Sequence, residues 1–284
     1  MPRYARPPLL LAYAAFVLIG VGAGSNGVLL VAQMGSYGVD RATIGIVFFT
    51  GSVGFVLAAF HNGSLIHRFG FRTALVVGSG VYVVVGLYQA TRPPFLAFVL
   101  VQVVLGYAYG VLESVLNAYL ASLPDARALL NQLHAFFGVG ALVGPVLAAW
   151  IIGLASWTVV WLVLAAAWTP LVIGFLVTFP TRQASESAAP PSQPSQAPRS
   201  EGLLRAALRE RGVLLGAVFL AVYVGLEIGM GNWGYSYLAQ ARGLSGALAG
   251  YSVSGYWLGL TVGRFLISPI AARIGATTAS MMYA

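Results

Sequence analysis

The chain has no cysteine, so disulfides and thiolate metal sites are excluded from the start. It has no lysine either: all fifteen basic residues are arginine. Charge of both signs is scarce, with seven acidic residues and only 8% charged residues in all. A water-facing surface carries about 25% charged residues, so a soluble globule is excluded. The three histidines and the acids at helix-interior positions lack any metal-ligand spacing, and no Gly-x-Ser-x-Gly element marks a nucleophile. The chain therefore reads as no enzyme, with no catalytic residue, no cofactor and no metal.

Apolar residues make up 59% of the chain, the mean hydropathy is +0.85, and glycine is abundant at 35 residues. Glycine is commoner in membrane helices than in soluble ones. The net charge of +8 comes from arginines that stand singly or in short clusters between apolar stretches. That pattern belongs to membrane flanks and not to a phosphate-binding face, so no nucleic-acid partner is expected.

A spanning helix needs about 20 mostly apolar residues. Such runs lie near 8–34, 42–64, 73–91, 94–122, 131–155, 156–179, 212–238 and 246–268, with a ninth starting at Ala276. Arg3 and Arg6 ahead of an apolar stretch resemble a secretory signal, but the apolar character runs on through Ala32, which predicts a first span. The Asn62-Gly63-Ser64 sequon reads as a chance match at a helix end. With the N-terminus inside, Arg41, Arg92 and Arg242 are the only arginines left outside. This positive-inside bias predicts a cytoplasmic N-terminus, in a multi-pass protein of the plasma membrane.

The fold class is thus an all-α membrane protein. Residues 1–179 form a six-span bundle, 180–211 a cytoplasmic linker, and 212–284 part of a second bundle. The linker holds Pro190, Pro191, Pro194 and Pro198 among Ser, Gln and Ala, a composition that cannot bury enough apolar surface to order its first part. Its second part, with Arg205, Arg209 and Arg211, suits an amphipathic helix on the membrane surface.

The second bundle repeats the first. A shift of 205 positions sets Gly225 on Gly20 and Gly229 on Gly24. It also sets Gly243, Ala247, Gly250 and Gly259 on Gly38, Ala42, Gly45 and Gly54, and Phe265, Arg273, Gly275 and Thr278 on Phe60, Arg68, Gly70 and Thr73. Both copies start on the same side, so the repeat is parallel, as in the two halves of a major facilitator protein. A complete repeat would supply twelve spans, so the chain is expected to be C-terminally incomplete.

The stretch GSLIHRFGFR at 63–72 resembles the loop signature of the major facilitator superfamily. Gly63, Arg68, Gly70 and Arg72 match it, and His67 stands where an acidic residue is usual. The second copy keeps Gly263, Arg273 and Gly275. The resemblance implies a loop that latches helix ends between transport states. A narrower resemblance lies in GVLESVLNAYL and in NQLHAFFGVGALVGP from Asn131 to Pro145, which are similar to elements of the fucose–proton symporter family. It implies proton coupling at Glu113. The family's acid in the first span is absent, the stretch here being Ser25-Asn26-Gly27.

Only Glu113 and Glu227 among the acids lie within spans. A charge at a helix centre costs about 2.5–3.5 kcal/mol on insertion scales, so each is a candidate for function. Gly106, Gly110, Glu113 and Asn117 step by helical spacing along one face. The glycines allow close helix approach, and the same stripe offers Glu113 and Asn117 to an interior. Glu113 is either a reversible proton carrier or a protonated acid bonded between helices. Glu227, Asn232 and Trp233 are candidate substrate contacts, with Trp233 equally readable as an interfacial belt residue. His134 suits proton relay or a hydroxyl contact, equally a packing role. Asn131 and Asn26 complete the substrate set, with Tyr107, Tyr256 and Trp257 as weaker candidates.

The expected activity is proton-coupled symport of a small solute, a sugar, by alternating access, performed by a monomer whose partners are that solute, protons and the bilayer. One alternative is proton-driven export of drugs or amphiphiles, since Gly140-x-x-x-Gly144-Pro145 resembles the antiporter signature, although Gln102 stands where drug antiporters carry Arg. A second is a non-transporting membrane sensor.

Overall fold

In a bilayer no water can satisfy backbone N–H and C=O groups, so each apolar run must bond internally as a helix. The computed structural model describes residues 6–179 and 209–274, with side chains for 7–179 and 209–263. Seven α-helices and no strand occur among the described residues. They are α1 (Arg6–Tyr37), α2 (Arg41–Ala90), α3 (Phe95–Ala121), α4 (Ala126–Leu154), α5 (Thr158–Thr178), α6 (Arg211–Ser236) and α7 (Gly246–Ile274), with a π-helical turn (Tyr237–Ala241) after α6. Six of them, α1 to α6, are long and apolar enough to cross a membrane.

Seven helices thus stand where the sequence predicts eight spans and the start of a ninth. The difference lies in α2, which merges the expected runs 42–64 and 73–91 and takes in the expected loop at 63–72. Within it only Gly70 leaves helical geometry, at φ 76° and ψ 168°, a left-handed value that glycine adopts without steric cost. The helix folds back there. In its first arm Gly54 faces Val103, and Ala58 faces Gly110 further along α3. In its second arm Gly78 faces Val111 and Leu112, while Gln89 meets Gln102. One arm runs with α3 and the other against it, so α2 is a helical hairpin. The expected ninth span and residues 180–208 of the expected 180–211 linker lie outside the described residues, as do Arg3 and the side chains of Arg6 and Arg273.

Helix ends follow local chemistry. Gly38, at φ 67°, closes α1 and donates to the Met34 carbonyl at 2.9 Å, as expected of a glycine at a helix C-terminus. Asp40 then caps α2 by accepting from the Thr43 amide at 2.8 Å. The repeat carries both features: Gly243 has φ 69°, and Ser245 Oγ accepts from the Leu248 amide at 3.3 Å.

Small residues bring helices into contact, since a bilayer offers no hydrophobic drive to pack them. A Cβ on Gly106 would fall on the Gly51 carbonyl, and one on Gly140 on the Val17 carbonyl. Pro145 has no N–H to donate to the Ala141 carbonyl, and Gly24 of α1 presses on that same carbonyl oxygen. Beside it Ser25 Oγ donates to the Gly144 carbonyl at 3.1 Å. Asn62 is buried and donates to the Gly110 carbonyl at 3.2 Å, in keeping with a sequon that is a chance match.

The second copy joins the first near one end. Gly27 of α1 lies against the carbonyls of Gly231 and Asn232, and Gly250 of α7 against Pro145 and Ala149 of α4. Arg41 donates to Gln240 Oε1 at 3.0 Å at this same end. Toward the opposite end, which carries Arg68, every residue of α6 from Arg211 to Leu226 is exposed.

Candidate functional site

Glu113 lies two-thirds of the way along α3 and is half-buried. Tyr109, one turn earlier on the same face, donates its hydroxyl to the carboxylate. Tyr82, on the second arm of α2, lies close enough to Tyr109 to act on it electrostatically. The Tyr82 ring packs on Trp168 at 5.1 Å, and its hydroxyl oxygen would be 2.9 Å from a Cβ on Gly22 of α1. Glu113 and Tyr109 thus share this layer with Tyr82, whose hydroxyl faces Gly22 of α1.

The rest of the predicted stripe behaves differently. Gly106 and Gly110 make the expected close approach, seated against the first arm of α2. Asn117 donates to the Glu113 backbone carbonyl at 2.8 Å, so one amide hydrogen is held by its own helix. Asn131 and His134 are exposed near the start of α4, and the His134 ring meets Phe16 edge-on at 5.6 Å. They belong to the Arg68 end, below the level of Glu113.

A second group gathers where the two copies meet. Asn26 and Asn232 flank the α1–α6 crossing at Gly27. Trp233 packs against Phe48 at 5.8 Å and reaches within 3.9 Å of a Cβ on Gly45, so it bridges α6 and α2. Glu227 is half-buried one turn below, and its backbone carbonyl accepts from the Tyr256 hydroxyl at 3.2 Å. The candidates therefore divide among a layer around Glu113, the exposed pair Asn131 and His134 at the Arg68 end, and a layer where the two copies meet.

The residues of the expected latch sit at the Arg68 end. Gly63 and Arg68 are exposed on the first arm of α2, and Arg72 is half-buried just past Gly70. Gly63, Ser64, His67 and Arg68 line a shallow depression there.

Several polar partners escaped the sequence reading. Tyr109 was legible in principle, four residues before Glu113 and therefore on its face. Tyr82 carried no such signal, because periodicity names a face and not its neighbour. The buried pair Gln102–Gln89, at 3.1 Å, and the Tyr13–Gln132 bond, at 2.7 Å, likewise join residues from separate helices.

Comparison with known proteins agrees with this architecture. The chain is 26% identical over 283 residues to Bypass of stop codon protein 6 of Saccharomyces cerevisiae, covering 91% of this chain and 56% of that protein. It is 27% identical over 223 residues to the Glucose/galactose transporter of Brucella abortus, covering 72% of this chain and 52% of the relative. To the Glucose/mannose transporter GlcP of Bacillus subtilis it is 24% identical over 275 residues, covering 95% and 67%. The chain spans about half the length of the first two relatives. Among solved structures, the crystal structure of a D-xylose-proton symporter superposes with a TM-score of 0.71 at 14% identity, over 95% of this chain and 70% of that one, a likeness of fold. Residues 11–284 match the Major Facilitator Superfamily. A chain of apolar helices with a parallel repeat and an interior acid, matched over nearly its whole length, belongs to the Major Facilitator Superfamily.

Proposed function

We propose that this chain is the greater part of a secondary transporter that moves a sugar by proton-coupled symport with alternating access. The observation that carries the reading is Glu113, an acid held within a membrane helix and hydrogen-bonded to Tyr109. Protonation removes the charge that makes such a residue costly in a bilayer, and so permits the loaded protein to reorient. His134, exposed at the Arg68 end, is proposed to relay protons from water toward this layer. The sugar assignment is supported by the two relatives named as glucose transporters.

The junction of the two copies supports alternating access. Contacts at Gly27, Gly250 and Arg41 join the two copies at one end, while residues 211–226 of α6 are exposed at the other. The α2 hairpin supplies two spans, so the described helices amount to eight spans. Asn26, Asn117, Asn131, Glu227, Asn232 and Trp233 are proposed to contact the sugar, and Gly63, Arg68, Gly70, Arg72 and Arg273 to act in the conformational switch. The active unit is a monomer in the plasma membrane.

Export of amphiphiles draws no added support, because Gly140 and Gly144 are seated against α1, a packing role that transport in either direction needs. The test is Glu113→Gln in vesicles bearing the full-length protein. One charge crossing 100 mV is worth about 2.3 kcal/mol, a concentration ratio of about fiftyfold. The variant is expected to lose proton-driven accumulation yet keep exchange of preloaded sugar. Full accumulation by Glu113→Gln would overturn the assignment.

A further inference from the structure

Buried polar atoms almost always find partners. Asn62, on the first arm of α2, is 5% exposed, and only half of its amide is satisfied. Its Nδ2 donates to the Gly110 carbonyl of α3 at 3.2 Å, whereas its Oδ1 is buried with no hydrogen-bond partner. Oδ1 is an acceptor, so what it lacks is a donor.

The first arm of α2 and α3 run side by side in the same direction. Gly51 faces Gly106, and Ala58 faces Gly110. One turn beyond stand Asn62 and Glu113, since both stripes continue at helical spacing. The carbonyl that Asn62 holds belongs to Gly110, three residues before Glu113. Helix carbonyls point toward the C-terminal end, so the Asn62 amide lies about level with Glu113. The titratable groups around this layer are Tyr107 and Tyr109 of α3, His61 and Tyr82 of α2, Tyr13 of α1 and His134 of α4, none of them an arginine or a second acid. Of these, Tyr109 bonds the Glu113 carboxylate. An ionised carboxylate only accepts, and Tyr109 serves it; a protonated carboxyl has one O–H to donate.

We propose that Asn62 is a positioning residue for proton coupling, its Oδ1 accepting from the Glu113 carboxyl once that group is protonated. The proposal rests on the reading of Glu113 as the proton carrier. The acid then has a different partner in each state: Tyr109 of its own helix when ionised, Asn62 of α2 when protonated. A buried acceptor left unmet is costly. Protonation relieves that cost, so Asn62 tightens proton binding. Protonation also becomes a tie between α3 and the arm that carries Gly63 and Arg68.

The experiment uses the full-length protein in vesicles, with glucose as the solute. Asn62→Leu keeps the shape and removes the acceptor. It is expected to raise the half-saturating proton concentration for uptake about tenfold, the worth of one hydrogen bond, with the KM for glucose in exchange within about twofold. Tyr109→Phe removes the donor to the carboxylate and is expected to lower that proton concentration. The same shift in both variants would be general damage and overturns the proposal. In detergent, Glu113→Gln keeps a donor, an amide N–H in place of the acid O–H. Its effect on the unfolding midpoint is expected to differ by about 2–4 °C between the wild-type and Asn62→Leu backgrounds. Should Asn62→Leu fold poorly, the wild type decides. The infrared carboxyl band of protonated Glu113, identified by its loss in Glu113→Gln, is expected at the position of a hydrogen-bonded acid, and the position of a free acid overturns the pairing. Proton-driven uptake with an unchanged proton dependence in Asn62→Leu, together with additive midpoints, overturns the role of Asn62 and leaves Glu113 standing as the carrier. Uptake that Glu113→Gln leaves fully proton-driven overturns both.

Discussion

Helices α1 and α6 are copies of one pattern, yet they live in different surroundings. The glycines of α1 at 20 and 24 press on the Phe137 and Ala141 carbonyls of α4, whereas their counterparts Gly225 and Gly229 have nothing within 4 Å of an added Cβ. In the most apolar stretch of α1 61% of residues are buried, and in that of α6 none are. The backbone events are nonetheless shared, down to the left-handed Gly38 and Gly243 that close each copy. The repeat therefore transmits local conformation faithfully, while packing depends on which helices stand alongside.

The sharpest way to break this comparison is to give both copies the same insult. Gly140→Leu drives a side chain into the Val17 carbonyl, and Gly24→Leu drives one into Ala141. Backbone cannot yield as a side-chain tip can, so each is expected to cost more than the about 1–3 kcal/mol typical of overpacking. Loss of a folded, monodisperse peak in detergent would register it. Gly229→Leu in this same chain is expected to shift the unfolding midpoint by less than about 2 °C. A large loss there would mean that Gly229 is packed more closely than the open space around its Cβ implies.

The contrast also marks how far sequence reaches. Hydropathy placed the helices to within a few residues, because an apolar run in a bilayer has no alternative to a helix. The turn between the second and third runs was misjudged in extent: 63–72 reads as a loop, but only Gly70 breaks the helix, since one left-handed residue suffices to reverse the chain. At the site, spacing sets Glu113 on one helix face with Gly106 and Gly110, and Tyr109 follows from the same rule. Tyr82 and the Trp257–Gly231 contact do not, because they join residues from different helices. Asn117 sits on the predicted stripe but bonds its own backbone, a local choice that helical spacing leaves open.

A gentler perturbation tests how firmly α6 is held at its packed end. Arg41 and Ser236 both donate to Gln240 Oε1, each at 3.0 Å, and this exposed bond ties the start of α2 to the π-helical turn. Interactions of that kind are worth about 0.2–1 kcal/mol, or at most about fivefold in an opening equilibrium. The cysteine-free chain makes the measurement direct. A cysteine introduced at Phe48, which packs on Trp233, is expected to react up to about fivefold faster with a membrane-impermeant maleimide when Arg41 is alanine. An unchanged rate would assign closure to the Gly27 and Gly250 contacts alone.

The smallest effect separates two caps that the repeat makes equivalent. Asp40 and Ser245 each begin a helix by accepting from the amide three residues on, Thr43 at 2.8 Å and Leu248 at 3.3 Å. One cap is charged and the other neutral. Hydrogen bonds from Thr43, through its side chain and then its amide, hold the Asp40 carboxyl below the usual carboxylate range. A depressed value in the folded state means the cap's contribution is complete above the unfolded aspartate's ordinary value near 4, and is lost as pH falls through the lowered one. Asp40→Ala is therefore expected to lower the unfolding midpoint slightly at pH 7, with the gap to wild type narrowing in acid. Ser245→Ala should show a gap that pH leaves unchanged, since no proton binds its cap. A pH-independent gap at Asp40 would mean that its carboxylate contributes to the helix start by shape alone, and the two copies would then be capped by the same neutral geometry.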